Sequence, residues 1–259
     1  MKKHLIILAF LTFVLQASAQ QHEIDSITAL LPQLSDSARL VAMGKLTELS
    51  IRLPSESYYL RMYLEEARRQ KNVVYEGLAL LNLTSHYLAQ TDNDSVFIFG
   101  EEAIRFNRQH KQYDYMSAAQ RILINRYQLK EQIITALRKS EEAYAEANEL
   151  QDDAAMANML DVIANIYHTL EQYEEAMRYA TESVELALKI QQKDPNYIAA
   201  FGRYDMLVEL SKLLNRPQEM LRYADSMLVE IDRINRINPD FYTQDRRFHT
   251  ECKDRKSVV

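Results

Sequence analysis

Apolar residues recur at helical spacing along most of the chain. Leu80, Leu83 and Tyr87 are separated by three and four residues, and the same spacing returns between residues 160 and 167, with polar residues in between. Because an α-helix has 3.6 residues per turn, this spacing places the apolar side chains on one face. The pattern predicts a short helix near 22–32 and ten longer ones, near 36–52, 55–70, 73–90, 94–109, 113–130, 132–150, 153–170, 172–192, 196–214 and 217–236.

The breaks between these apolar stretches carry residues that favour helix starts. Asp92, Asp152 and Asp194 offer side-chain oxygens that accept hydrogen bonds from the free N–H groups of a first helical turn. Pro195 and Pro217 suit a first turn, because the N–H that proline lacks would have no helical partner there. We therefore expect helices to begin just after residues 92, 152 and 194, and at Pro217.

A second, much longer period runs through the chain. Two sets of residues recur every 40 positions, one of tyrosines and one of small residues: Tyr87, Tyr127 and Tyr167, and Ala103, Ala143 and Ser183. A fixed period of this length indicates stacked supersecondary units. It predicts five helical hairpins over residues 36–237, preceded by a capping helix within residues 20–35, and it makes the recurring tyrosines packing residues.

The composition agrees with an all-α fold and limits the classes of partner. The 259 residues include only four glycines and five prolines, whereas a β-rich domain would need many more turn residues. The formal charge of -6 argues against a nucleic-acid partner. The single cysteine, Cys252, cannot form an intramolecular disulfide.

The first nineteen residues have the pattern of a secretory signal peptide. Lys2 and Lys3 precede an apolar run from Leu5 to Leu15, and small residues follow at positions 17–19. We expect cleavage after Ala19, which removes two lysines and no acidic residue, so the charge changes from -6 to -8. The prediction is a periplasmic or secreted protein.

The fourth hairpin resembles a tetratricopeptide repeat (TPR). The resemblance rests on large, small and aromatic residues at matching positions of its two helices: Leu160, Ile163, Ala164, Tyr167, Tyr173, Ala176 and Ser183. The other hairpins follow the pattern more loosely, since Thr84, Ile124 and Val208 replace the small residue of the first helix. The resemblance implies an all-α, right-handed superhelical solenoid of about five TPR-like hairpins.

The whole arrangement also resembles the exported N-terminal repeat region of membrane sensor kinases and regulators of the Bacteroides group. The leader, the segment from Glu23 to Leu40 and the divergent repeats carry this resemblance. Those proteins continue into a membrane span and a cytoplasmic signalling domain, and this chain does not. This difference leaves two interpretations open, a truncated sensor and a free-standing relative. Residues 238–259 are charged and are expected to form one more helix and a frayed end.

In a TPR-like stack the first helices of successive hairpins line a concave groove, so the polar residues on their outward faces are the candidate partner-binding residues. They are Arg121, Asn125, Gln128, Asn158, Asp161, Asn165, His168, Asp205, Glu209 and Lys212. Their alternative interpretation is a solvated polar face. The acidic members favour a basic or mixed-charge peptide or protein segment over a carboxylate clamp.

Enzymatic and cofactor chemistry finds little support in the sequence. His168 and Glu171 supply too few ligands for a metal, and the four glycines never cluster into a phosphate loop. We therefore predict no catalytic residue, no metal and no cofactor. The leading hypothesis is an exported module that binds a protein or peptide segment, and the alternative is a small-ligand receptor domain of a two-component-type sensor.

Overall fold

The computed structural model describes residues 18–90, 92–129, 131–198 and 200–237, apart from the side chain of Asn93. Residues 1–17 of the predicted signal peptide and the predicted C-terminal segment 238–259 lie outside these ranges. All regular elements within the described ranges are helical.

Helix α1 covers residues 18–30 and leads into a 3-10 turn, Leu31–Gln33. The remaining helices are α2 Asp36–Leu49, α3 Glu56–Arg69, α4 Val73–Ala89, α5 Asn93–Gln109, α6 Tyr113–Leu129, α7 Ile133–Glu149, α8 Asp153–Thr169, α9 Tyr173–Lys193, α10 Ala200–Leu213 and α11 Pro217–Ile237. None of the described helices is both long enough and apolar enough to cross a membrane.

The long sequence period is the length of one helical hairpin. Helices α4 to α9 begin at constant intervals, at positions 73, 93, 113, 133, 153 and 173, so two successive helices make up one period. The helices from α4 to α8 are all equal in length, and each is joined to the next by an equally short connection. The all-α hairpin repeat predicted from the sequence is therefore confirmed.

The short connections depend on a left-handed residue just after the helix end. Lys71, Lys111, Glu131, Gln151 and Glu171 all have φ between 54° and 59°. In the first of these turns the N–H of Asn72 donates to the carbonyl of Ala67 over 2.9 Å, which is the back-bond of a Schellman motif. The chain thus turns sharply without glycine at these positions.

Helix starts agree with the predicted caps, with one exception. Asp92 accepts a hydrogen bond from the N–H of Ser95 (3.2 Å), and Asp152 accepts from Ala155 (2.9 Å). The prediction that Asp194 begins a helix was wrong. It ends α9, and its carboxylate accepts the N–H of Asn196 (3.0 Å) in a local turn, so α10 starts only at Ala200.

The described residues divide into two compact units, with the boundary between Ile122 and Leu123. The core of the first unit includes Ile24 from α1, Leu40 and Leu46 from α2, and Leu80 from α4, all at most 1% exposed. Here Tyr87 stacks on Phe99, with ring centres 5.3 Å apart.

The second unit has a core of the same kind. Leu207 of α10 and Ile231 of α11 are buried in it, and Tyr167 stacks on Tyr179 with ring centres 5.3 Å apart. In both units the stacked partner comes from the helix that follows the recurring tyrosine, and Tyr127 packs against the buried cluster around Ile124. The prediction that the recurring tyrosines are packing residues is confirmed.

Candidate functional site

A buried arginine organises the predicted binding residues of α8. Arg203 of α10 is 5% exposed; its Nε lies 3.0 Å from Oδ2 of Asp161 and donates to Oγ of Ser183 over 2.8 Å. A terminal nitrogen of the same guanidinium donates to Oδ1 of Asn158 over 2.9 Å. The Ser183 hydroxyl in turn donates to Asp161 (2.6 Å). Two predicted groove residues, Asn158 and Asp161, are thus engaged within the protein.

A second close approach lies between the same two helices. His168 of α8 and Glu209 of α10 approach within 3.5 Å, from Nε2 to Oε1. The His168 ring also packs against Tyr173 at 5.8 Å. Both residues were predicted to face a ligand, and the structure brings them together across neighbouring first helices.

The other predicted residues lie on the expected helices and are accessible to different degrees. Asn165 on α8 and Lys212 on α10 are exposed, and Asp205 on α10 is half-buried. On α6, the remaining three are exposed or half-buried: Arg121, Asn125 and Gln128. Their role in binding stays a prediction.

The first unit contains a cavity that the sequence did not single out. It has a volume of about 760 Å³ and is lined by residues from three ranges, 40–52 in α2 and the turn after it, 56–63 in α3, and 75–89 in α4. Two large apolar side chains of this lining, Val41 and Ile51, are 59% and 56% exposed. Exposed apolar side chains around a cavity are typical of a binding site.

Both carboxylates of the cavity lining have partners within the lining. Oε1 of Glu56 lies 3.1 Å from Nδ1 of His86, and Oε2 accepts a hydrogen bond from the backbone N–H of Arg52 over 2.7 Å. Nζ of Lys45 lies 3.4 Å from Oε2 of Glu48. The charges of the lining therefore largely compensate one another.

Tyr63 closes the inner side of the cavity. It is 1% exposed, and its ring lies 6.0 Å from that of Tyr75. Burial, with a smaller contribution from Tyr75, raises the pKa of Tyr63 far above its usual value of 10.0. The hydroxyl therefore stays protonated at neutral pH.

Sequence reasoning missed both Arg203 and the cavity. A sequence does not distinguish a buried arginine from an exposed one, because the groups that neutralise its charge come from other helices. The cavity could have been approached through the repeat, since Ser85, which lines it, occupies the same repeat position as the predicted Asn125 and Asn165. Among the described residues, no three His, Cys, Asp or Glu side chains are grouped to hold a metal ion.

Comparisons with known proteins support the fold. No protein-family model and no curated protein matches the sequence. Among solved structures, BtubC (BKLC) from P. vanneervenii is similar with a TM-score of 0.65 and 13% identity, covering 85% of this chain and 91% of that chain. The apo form of the quorum sensor NprR from B. thuringiensis is similar with a TM-score of 0.63 and 18% identity, covering 98% of this chain and 68% of that chain.

NprR in complex with its cognate peptide NprX is similar with a TM-score of 0.56 and 22% identity, covering 96% of this chain and 72% of that chain. At these identities the likeness concerns the fold alone. Taken with the observed hairpins, it shows that the chain has the fold of TPR-like helical-repeat proteins.

Proposed function

We propose that this protein is a binding module that takes a peptide or protein segment along the outward faces of its first helices. The observation that carries the proposal is the cavity between α2 and α4, with Val41 and Ile51 exposed around it. The likeness of the fold to NprR in complex with a peptide supports it. In the second unit, the predicted residues Asn125 and Asn165 have exposed side chains and occupy the repeat position that Ser85 occupies in the first.

The proposal includes export and a sensing role. The leader pattern of residues 1–19 and the resemblance to extracytoplasmic regions of Bacteroides-type sensors support these two parts. A chain recovered from the periplasm or medium should begin at Gln20, as measured by intact mass. Recovery of an uncleaved chain from the cytoplasm alone would contradict export.

A small-ligand receptor is the second candidate function. The cavity volume of about 760 Å³ favours it, because small-molecule sites usually span roughly 300–1,000 Å³. Such a ligand would raise the melting temperature as its concentration exceeds the dissociation constant.

One paired experiment tests the two functions. The purified chain is used to select from a displayed library of random dodecapeptides, and enriched peptides are measured by calorimetry. In parallel, a metabolite set is screened by thermal shift. We expect enrichment and saturable one-to-one peptide binding. A metabolite that raises the melting temperature, with no peptide enriched, would replace the proposed function with the second one.

A further inference from the structure

The cavity contains a glycine that the fold does not require. Gly44 lies in the middle of α2, where glycine destabilises a helix relative to alanine. A Cβ built on it would meet the Tyr63 hydroxyl at 3.6 Å, an ordinary contact distance. Gly77, a buried glycine of α4, is different, because a Cβ on it would come within 2.1 Å of Oδ1 of Asn107. Packing therefore explains Gly77 and leaves Gly44 unexplained.

The place of Gly44 suggests what its missing side chain provides. Gly44 and Tyr63 both line the cavity, from α2 and α3. Any larger side chain at position 44 would project into the space in front of the tyrosine. An open space retained at the cost of helix stability is what a ligand pocket needs.

Charge pairing limits the ligand. The two cations of the lining, Lys45 and Arg52, balance its two carboxylates, Glu48 and Glu56, so an added charged group would be left uncompensated. Burial of an uncompensated charge is costly, whereas apolar surface gains from leaving water. The cavity therefore favours an uncharged, largely apolar group.

The surroundings favour a group that belongs to a longer segment. Val41 and Ile51 extend the apolar contact surface beyond the cavity. Asn82 and Ser85, three residues apart on α4, also line it. Their side chains can both donate and accept hydrogen bonds, as a peptide main chain requires.

We propose that the cavity between α2 and α4 is an anchor pocket for a bulky apolar side chain of an uncharged peptide segment, whose main chain bonds to Asn82 and Ser85. This inference rests on the proposed function and deepens it. Gly44 keeps the pocket open, and Tyr63 forms its inner wall.

The test uses capped nonapeptide mixtures with a fixed central residue, Leu, Phe, Ala, Asp or Lys, and Gly, Ala, Ser or Asn at the other positions. Binding to the purified chain is measured by competition against a fluorescent peptide enriched in the library selection. We expect the Leu or Phe mixtures to bind about tenfold or more tightly than the Ala, Asp and Lys mixtures.

Two variants connect this preference to the pocket. Gly44→Leu fills the pocket. Ile51→Asp changes only an exposed residue at its rim, so this variant still tests the pocket if Gly44→Leu does not fold. Each should weaken binding of the Leu mixture about tenfold or more. Gly202→Leu and Val229→Asp are the matched controls, because Gly202 has no atom within 4 Å of a built Cβ and Val229 is 65% exposed.

The outcomes separate the two proposals. Two results would overturn the anchor pocket and leave peptide binding in place. One is that selected peptides bind Gly44→Leu and Ile51→Asp as tightly as the unaltered chain. The other is that the nonapeptide mixtures with Asp or Lys at the centre bind more tightly than those with Leu or Phe. If no library peptide binds the unaltered chain, the proposed function itself fails.

Discussion

The guanidinium of Arg203 and the carboxylate of Asp161 form an ion pair of 3.0 Å between α10 and α8, in which the arginine side chain is 4% exposed. The two helices belong to successive hairpins, so the pair fixes their mutual position through polar contacts as well as through apolar packing. Asp161, which was predicted to face a ligand, thus has a partner within the protein.

Replacing this arginine should destabilise the second unit. Arg203→Met leaves the Asp161 carboxylate without its cationic partner and removes the hydrogen bond to Ser183. It should lower the free energy of unfolding by about 2–4 kcal/mol. Lys212→Met on the exposed face of α10 is the control and should stay within about 0.5 kcal/mol of the unaltered chain. Urea unfolding followed by circular dichroism measures both, and equal stabilities would contradict a structural role for the pair.

Gly44 and Gly77, two helical glycines of the first unit, should respond oppositely to alanine. Gly44→Ala should raise the free energy of unfolding by about 0.5–1 kcal/mol, because the new methyl group fits beside Tyr63 and removes the entropic cost of glycine. Gly77→Ala should lower it by about 1–3 kcal/mol, since the methyl group displaces the buried Asn107 side chain. Thermal and urea unfolding of the two variants, compared side by side, check the signs.

The left-handed turn residues are sites where glycine should stabilise. Glu171 has φ of 59°, which is unfavourable for a residue with a side chain. Glu171→Gly should therefore raise the free energy of unfolding by up to about 1 kcal/mol. The matched control Glu185→Gly, at an exposed position inside α9, should lower it by about 1 kcal/mol. A destabilised Glu171→Gly variant would show that the strain of the turn is small.

Acid should weaken the first unit through Glu66. Hydrogen bonds from Arg69 (2.8 and 2.6 Å) and Gln70 lower the pKa of the Glu66 carboxyl to about 2. Because the folded-state pKa lies below the unfolded value, the stabilisation is present above about pH 4.5 and is lost as the pH falls toward 2.

The comparison of Glu66→Gln with the unaltered chain tests this. The variant should be the less stable of the two at pH 7, and the difference should shrink between pH 5 and pH 2 in urea unfolding. Glu185→Gln, at an exposed position, should follow the unaltered chain throughout. A difference that stays constant with pH would show that the carboxylate hydrogen bonds are not responsible.

Two exposed asparagines at one repeat position separate binding from stability. Asn125→Ala and Asn165→Ala should leave the free energy of unfolding within about 0.5 kcal/mol, because both side chains are exposed. If the outward faces bind peptide as proposed, each substitution should weaken a library-selected peptide by about fivefold. Calorimetry gives the affinity, and unchanged affinity in both variants would remove these residues from the binding surface.

The sequence alone determined the repeat. Helical spacing of apolar residues and the regular recurrence of Tyr87, Tyr127 and Tyr167 predicted most helix bounds closely, because both signals depend on local geometry and core packing. The largest differences occurred at local turns, as at Asp194, where one side chain can either begin a helix or close a turn.

The tertiary structure decided which polar residues are already paired and where space remains. Arg203 meets Asn158 and Asp161, which lie two helices earlier in the sequence, and no local pattern encodes such a contact. Likewise, Gly44 and Gly77 look alike in a helix, and only the neighbours supplied by other helices distinguish them. Packing against Asn107 requires Gly77, whereas Gly44 lines a cavity. Helix periodicity is a property of neighbouring residues, whereas pairing and free volume are properties of the packed chain.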